Sequence, residues 1–215
     1  MKAEKKNITG WEASKPTMEF LEIGYDKLTP SLFKWLKNAC KNAHKNKERA
    51  NKDLAGHIKE EYKLPDRNKK FDEFIFSIIK NSRLSNYFRK IKVLTENRPL
   101  ILNDMWVNYQ KKYEFNPPHD HSGVFSFIVF MQIPYDLKKE NDYFPDVVNK
   151  SFSTSRTAFL ITDIHGSICN KSLEIDKSFE GKIVVFPALL KHQVYPFYTS
   201  NDYRITVSGN LEIQV

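Results

Sequence analysis

Residues 116–133 have the sequence NPPHDHSGVFSFIVFMQI, and this stretch decides the fold. Its second half, residues 124–133, is mostly apolar on both faces, which is typical of a strand buried between two layers. Its first half places His119 and His121 two residues apart. Side chains two residues apart lie on the same side of an extended chain. We therefore expect two imidazoles at the mouth of a β-structure.

Further short β runs follow residue 99. They cover residues 100–109, 157–162, 183–186, 194–198 and 203–207, and segments such as SFSTSR, NKS, FEGK and YTSND separate them as turns. The strands follow one another closely, and no long helical segment lies between them. The pattern therefore favours a sandwich or barrel over a doubly wound parallel sheet.

Before residue 99 the hydrophobic periodicity is helical. Thr29 and Pro30 predict a helix start, with a capping threonine before a proline in the first turn. A second helix is predicted over residues 51–62. A third begins near Lys70 and either continues or breaks near Ser85 before it ends near Leu94. We expect residues 1–98 to form an N-terminal helical layer of the same domain, and residues 99–215 to form its β core.

The composition excludes several classes of protein. The chain has 215 residues, of which 40% are hydrophobic, so it has enough apolar surface for a core and is not disordered throughout. No apolar run approaches a membrane span, and the N-terminus lacks the apolar segment of a secretory signal. Cys40 and Cys169 lie far apart, which excludes a disulfide framework and a cysteine-based zinc site. We expect a reducing, cytoplasmic location and no membrane partner.

The net charge of +8 raises the question of a nucleic-acid partner. Most of the basic residues are lysines, and four of them follow one face of the first predicted helix: Lys34, Lys37, Lys41 and Lys45. A lysine stripe on an amphipathic helix is usually its solvated side. Arginine, the better bidentate phosphate ligand, is scarce here. We therefore do not expect nucleic acid as a partner, although composition alone does not exclude it.

Two later residues strengthen the interest of the histidine pair. His192 starts a strand after IVVFPALLK and can fold back over His119 and His121. The pair alone is half of a transition-metal site, and His192 would add a third ligand. Arg204 and Thr206 then share one face of a strictly alternating strand. That face is either solvated, as on an ordinary edge strand, or lies inside a barrel, where a guanidinium and a hydroxyl could grip a carboxylate. The alternative for the pair itself is a polar loop with two unrelated histidines.

This order of motifs resembles the Fe(II)/2-oxoglutarate-dependent oxygenases. The shared elements are a His-x-His or His-x-Asp pair, a distal histidine about seventy residues later, and an Arg-x-Thr or Arg-x-Ser motif some ten residues beyond it. Residues 106–134 and 183–210 are similar to 2OG-Fe(II) oxygenases of marine bacteria and their phages. The resemblance implies a double-stranded β-helix, the cupin-like jelly roll, braced by helices. It also implies Fe(II) and 2-oxoglutarate as cofactors, with O2 and an unknown substrate as partners.

The resemblance assigns His119 and His192 as iron ligands and Arg204 and Thr206 as ligands of 2-oxoglutarate. Most of the superfamily has a carboxylate as the third ligand, and here three sets are open. His121 can complete a three-histidine site. Asp120 can supply the carboxylate, although adjacent side chains point apart. If His121 is instead the first ligand, Gly123 leaves one coordination position open. We prefer them in that order.

The expected function is therefore a dioxygenase that hydroxylates an unknown substrate and decarboxylates 2-oxoglutarate to succinate. A rival enzyme is a cupin-like metalloprotein that uses the same histidines without 2-oxoglutarate. A rival of another class is a non-catalytic, basic binding protein with the same fold. Titration with 2-oxoglutarate separates the first two hypotheses.

Overall fold

A computed structural model describes residues 23–92, 99–146, 153–163 and 165–214. It contains two sheets in which every strand pair is antiparallel. The six-stranded sheet has the strand order β1 (Gly24–Lys27), β8 (Lys182–Pro187), β5 (Phe125–Gln132), β10 (Arg204–Ile213), β3 (Leu100–Gln110) and β2 (Glu61–Lys63). The four-stranded sheet has the order β4 (Asn116–His119), β9 (His192–Val194), β6 (Thr157–Thr162) and β7 (Ile168–Leu173).

The helices precede most of the strands. They are α1 (Pro30–Asn46), α2 (Lys69–Asn81), α3 (Leu84–Lys92) and the short α4 (Leu137–Asn141), with single 3₁₀ turns at Asn51–Asp53 and Lys177–Phe179. The start of α1 is as predicted: the Thr29 side chain accepts a hydrogen bond from the Leu32 amide, and Pro30 occupies the first turn. Among the described residues, none of the helices has the length and apolar character needed to cross a membrane.

Strand β5 separates two apolar cores, which explains why it has no polar face. Phe127 and Val129 point toward the helices and pack in a core with Leu36 and Phe71. Ile128 and Phe130 point the other way, into a core between the two sheets. The other members of that second core include Ile133, Phe159, Val184, Phe186 and Phe197. The prediction of a strand buried on both faces is confirmed.

The predicted helix over residues 51–62 is wrong. Only Asn51–Asp53 is helical, as a single 3₁₀ turn, and the chain then extends into β2. The backbone of β2 pairs with β3, so tertiary hydrogen bonding overrides the local helical pattern. As a result, β1 and β2 add two strands from the N-terminal side to the six-stranded sheet. The division of the domain at residue 98 stays a prediction.

The predicted strand over residues 194–198 is wrong beyond its first residue, because β9 covers His192–Val194 and ends there. Pro196 has no amide hydrogen to donate to a strand ladder. The chain here forms single backbone bonds instead: Tyr195 donates to the Arg156 carbonyl, and the Ser155 amide donates to the Pro196 carbonyl. This irregular segment passes directly beside Arg204 and supplies one of its hydrogen-bond acceptors.

Candidate active site

Strands β4 and β9 bring the three predicted histidines together. His119 and His192 are paired directly across these strands. The backbone amide of His121 donates to the Ala188 carbonyl, which fixes the turn that follows β4. The three residues offer ring nitrogens that all lie within 4.8 Å of one another. In the part of the chain that the structure describes, this is the one group of three or more potential metal ligands.

Hydrogen bonds orient two of the rings for metal binding. Nδ1 of His119 lies 2.7 Å from the Pro117 carbonyl oxygen, and Nδ1 of His192 lies 3.0 Å from the Leu190 carbonyl oxygen. A carbonyl can only accept, so each Nδ1 carries the proton and each Nε2 presents a lone pair. Nε2 of His192 lies 3.3 Å from Nε2 of His121. Two nitrogens about 2.1 Å from one ion lie at roughly this separation.

The environment keeps the three imidazoles neutral. Burial and the neighbouring histidines lower the pKa of His192 to about 3. Burial, followed by the proximity of His119, lowers the pKa of His121 to about 4. Burial also lowers the pKa of His119. Neutral imidazole is the form that binds metals, so the cluster is ready to bind a metal ion at neutral pH without releasing protons.

Of the other two predicted ligand sets, the one that uses Asp120 has no geometric support, and the one that starts at His121 shares His121 and His192 with the three-histidine set. The Asp120 carboxylate points away from the histidines into solvent, where it accepts a hydrogen bond of 2.7 Å from Lys191. That interaction also lowers the pKa of Asp120. Gly123 lies in a left-handed turn with a φ of 91°, two residues beyond His121. The structure therefore favours the arrangement with His119, His121 and His192, whose role as metal ligands stays a prediction.

Arg204 is buried at the base of the same cavity. Its side chain is 1% exposed, and the guanidinium donates only to neutral acceptors. These are the Gln110 side-chain oxygen, the Ser155 and Tyr195 carbonyl oxygens and the Tyr135 hydroxyl. Within the described residues no carboxylate pairs with this charge. Burying an unpaired charge is costly, so the site is suited to an anionic ligand.

Thr206 lines the cavity two residues after Arg204, as the alternation of β10 predicts. Its hydroxyl accepts a hydrogen bond of 3.2 Å from the side-chain amide of Asn108. The side-chain oxygens of Asn108 and Asn116 are both buried, and neither has a hydrogen-bond partner. Both asparagines line the cavity. Unpartnered buried polar atoms are uncommon in proteins, and here they border the space between the histidines and Arg204.

The cavity has a volume of about 30 Å³ and is partly open to solvent. Trp106 forms part of its wall, with its ring 5.6 Å from that of His121. Trp106 also lines a larger groove of about 350 Å³. Ser122, Leu54 and Met105 contribute to this groove. Trp106 therefore forms a wall common to the groove and to the cavity that contains the histidine cluster.

Sequence reasoning missed Gln110, which contacts Arg204 from β3. Gln110 and Arg204 are directly opposite each other in the register of β3 and β10. The available signal was the alternation of Trp106, Asn108 and Gln110, which predicts that all three face the cavity.

The remaining histidines lie elsewhere. His44 bonds to Glu60, His57 stacks on Phe115, and His165 lies in an exposed turn whose amide bonds to Asp163.

The family model described as "Putative 2OG-Fe(II) oxygenase" matches residues 104–210. The matched span contains the three histidines, Arg204 and Thr206. The chain belongs to the 2OG-Fe(II) oxygenases. Members of this family are oxidoreductases that depend on Fe(II) and 2-oxoglutarate, so the predicted family and enzyme class are confirmed. A comparison with curated proteins gives no match.

Two solved structures show the same fold. A prolyl-4-hydroxylase from Pseudomonas putida aligns with a TM-score of 0.52 and 12% identity, over 92% of this chain and 96% of that one. A 2OG-Fe(II) oxygenase family protein from Burkholderia pseudomallei aligns with a TM-score of 0.51 and 10% identity, over 96% of this chain and 91% of that one. At these identities the likeness establishes the fold alone. The 2OG-Fe(II) oxygenase adopts the predicted double-stranded β-helix braced by helices.

Proposed function

We propose that this oxygenase binds Fe(II) and 2-oxoglutarate and uses O2 to hydroxylate a substrate whose identity is open, with decarboxylation of 2-oxoglutarate to succinate. One observation carries the proposal. Three neutral histidines converge in a cavity whose base holds a buried guanidinium without a carboxylate partner among the described residues. A metal ion and a dianionic oxoacid together match these two features.

In this proposal His119, His121 and His192 hold the iron. Imidazole is a suitable ligand for Fe(II). The carbonyls of Pro117 and Leu190 fix two of the rings from behind, which presents Nε2 of each to the ion. Three neutral histidines leave one more positive charge on the iron than a site with one carboxylate does. The carboxylate of 2-oxoglutarate that does not bind Arg204 can compensate that charge.

Arg204 and Thr206 would bind the distal carboxylate of 2-oxoglutarate. A guanidinium can donate two parallel hydrogen bonds to a carboxylate, and lysine cannot reproduce that fork. When bound, Fe(II) and 2-oxoglutarate supply the oxidising chemistry. The protein contributes ligand orientation, a fixed cationic anchor and a cavity from which apolar side chains such as Ile128 and Phe130 exclude water.

We propose that the substrate reaches the iron through the groove beside Trp106, because this residue lines both spaces. The charged residues of the groove are of both signs, and two of them form an ion pair of 3.0 Å between Lys63 and Glu48. This mixed charge does not match a polyanion, so it supports our expectation that nucleic acid is not the partner. The two free cysteines agree with the proposed cytoplasmic location.

The test is an anaerobic titration of the Fe(II)-loaded protein with 2-oxoglutarate. The visible charge-transfer absorption of the complex is the readout. We expect one Fe(II) per chain and a new band that saturates with 2-oxoglutarate. Admission of O2 should then release succinate. Iron binding without any such band would favour the cupin-like metalloprotein. Failure to bind Fe(II) at all would favour the non-catalytic binding protein.

A further inference from the structure

Every N–H of the Arg204 guanidinium already has an acceptor in the protein. Arginine has five such donors. Nη1 donates to the Ser155 carbonyl oxygen at 2.8 Å and to the Tyr135 hydroxyl at 3.4 Å. Nη2 donates to the Tyr195 carbonyl oxygen at 3.1 Å and to Oε1 of Gln110, and Nε donates to the same Oε1 at 2.9 Å. A carboxylate can therefore bind Arg204 only by displacing one of these acceptors.

The acceptors differ in how readily they can leave. The carbonyls of Ser155 and Tyr195 belong to backbone that other hydrogen bonds fix: the Ser155 amide donates to Pro196, and the Tyr195 amide to Arg156. The Tyr135 hydroxyl also donates to the Ser155 carbonyl oxygen, which holds it in place. Gln110 is a side chain on a rotatable stem. Of the four acceptors, it alone lines the cavity together with Arg204.

The contact that Gln110 makes also has the shape of the contact that a ligand would make. Its single oxygen bridges Nε and Nη2, the edge on which a carboxylate binds with two parallel bonds. Its nitrogen donates to the Glu114 carbonyl oxygen, and within the described residues this single side-chain bond is the one other contact that must adjust when the oxygen leaves Arg204. Gln110 is thus a neutral occupant of the anion-binding edge of a buried cation.

We propose that Gln110 is an exchangeable acceptor, which satisfies the Nε/Nη2 edge of Arg204 in the free enzyme and yields it to the distal carboxylate of 2-oxoglutarate. The inference rests on the proposed function. An ionised carboxylate forms stronger, charge-assisted bonds to this edge than an amide oxygen does, so the ligand displaces Gln110. Gln110 is in this sense a specificity-determining residue, because a neutral ligand lacks the charge needed to displace it.

The decisive variant is Gln110→Glu, which puts a permanent carboxylate on the same edge. We expect it to form an internal ion pair with Arg204 and to weaken 2-oxoglutarate binding at least a hundredfold, since the ligand must now compete with a charge. Its iron content should be unchanged. Gln110→Ala leaves the edge without an occupant and should bind 2-oxoglutarate about five- to tenfold more tightly than the wild type.

Gln132→Glu is the matched control. Gln132 lies at the end of β5, where its amide bonds to the Tyr203 carbonyl oxygen and does not line the cavity. The Gln132→Glu variant adds the same charge on a strand beside β10, and its affinity for 2-oxoglutarate should stay within about threefold of that of the wild type. Thermal melts give a second readout: without ligand Gln110→Glu should melt above the wild type, and 2-oxoglutarate should raise the melting temperature of the wild type and of Gln132→Glu but not that of Gln110→Glu.

The outcomes separate the two proposals. A wild type that binds Fe(II) but no 2-oxoglutarate contradicts the proposed function, and the exchange with it. A wild type that binds 2-oxoglutarate while Gln110→Glu binds equally well overturns the exchange alone. If Gln110→Ala instead loses affinity as severely as Arg204→Ala, Gln110 orients the guanidinium and does not make way for the ligand, which also overturns the exchange.

Discussion

At the scale of single residues, the three histidines proposed as metal ligands come first. His192 is the most buried of the three histidines, with 2% of its surface exposed, and it contacts both of the others. Its substitution therefore removes both a ligand and the packing of the cluster. In His192→Ala we expect stoichiometric Fe(II) binding to be lost, as measured by metal analysis after anaerobic gel filtration. His165→Ala, in an exposed turn, should retain its iron. Full iron occupancy in His192→Ala would refute the proposed ligand set.

Arg204 separates the 2-oxoglutarate hypothesis from the cupin-like alternative. Loss of a buried partner of a charged group costs roughly 2–5 kcal/mol, which corresponds to a thirtyfold to several-thousandfold weaker ligand. Arg204→Ala should therefore abolish 2-oxoglutarate binding at sub-millimolar concentrations, while the iron content stays nearly unchanged. Thr206→Val removes one neutral hydrogen bond and should cost about 0.5–1.5 kcal/mol. Anaerobic titration of both variants measures these losses, and a wild-type curve for Arg204→Ala would place the anion site elsewhere.

Residue types and their spacing were enough to predict part of the site. His119, His121, His192, Arg204 and Thr206 are brought to one cavity, because alternation along a strand fixes which side chains share a face. The role of Gln110 was not predictable in the same way. It depends on the register between β3 and β10, which pairs residues 94 positions apart. Register is a property of the assembled sheet, and no local pattern around Gln110 specifies it.

At the scale of elements, β10 depends on a close backbone approach. A Cβ atom at Gly209 would lie 2.4 Å from the Asp104 carbonyl oxygen and 2.8 Å from the Phe127 ring. Neither the backbone of β3 nor a core aromatic ring can move freely. Gly209→Ala should therefore destabilise the protein by roughly 1–3 kcal/mol, the usual cost of overpacking. Denaturant unfolding measures the change, with Ser208→Ala as the neighbouring control. An unchanged midpoint would show that β3 and β10 can separate without loss.

The edge strand β2 makes stability depend on pH through Glu61. This side chain is 1% exposed, and burial raises its pKa to about 7. A pKa raised in the folded state means that the fold favours the protonated form. The contribution to stability is then fully present below the unfolded pKa, near 4.5, and is lost as the pH rises through about 7. In denaturant unfolding at pH 8, the free energy of unfolding of Glu61→Gln should therefore exceed that of the wild type by roughly 1–3 kcal/mol. This difference should disappear near pH 4. A gap independent of pH would contradict this origin.

Elements were predicted well where hydrophobic pattern and tertiary pairing agree. The start of α1 and the burial of β5 followed from local signals: a capping threonine before proline, and an apolar run without a polar face. The predicted helix over residues 51–62 was wrong because its helical pattern competes with pairing to the edge of β3. The predicted strand over residues 194–198 was wrong because Pro196 interrupts a run whose apolar residues resemble a strand.

At the scale of the whole molecule, we do not expect the charge of +8 to form a nucleic-acid site. The lysines of α1 are exposed on one side of the helix, away from its buried face of Leu32, Leu36 and Ala39. We expect any binding to a defined oligonucleotide to be weak and to fall steeply with salt, as counterion release requires. Fluorescence anisotropy at two salt concentrations tests this. A nanomolar complex insensitive to salt would show that the basic surface is a specific site.

The position of β10 in the sheet has a consequence for how the protein is made. It follows every other described strand along the chain, yet it lies between β5 and β3 in the middle of the sheet. While β10 is not yet in place, a chain that already contains all three histidines has no strand between β5 and β3, at the centre of its larger sheet. Until β10 fills that gap, β3 and β5 expose unpaired edges to other chains. Arg204 lies on the same strand, so the proposed anion site and the centre of the larger sheet are completed together.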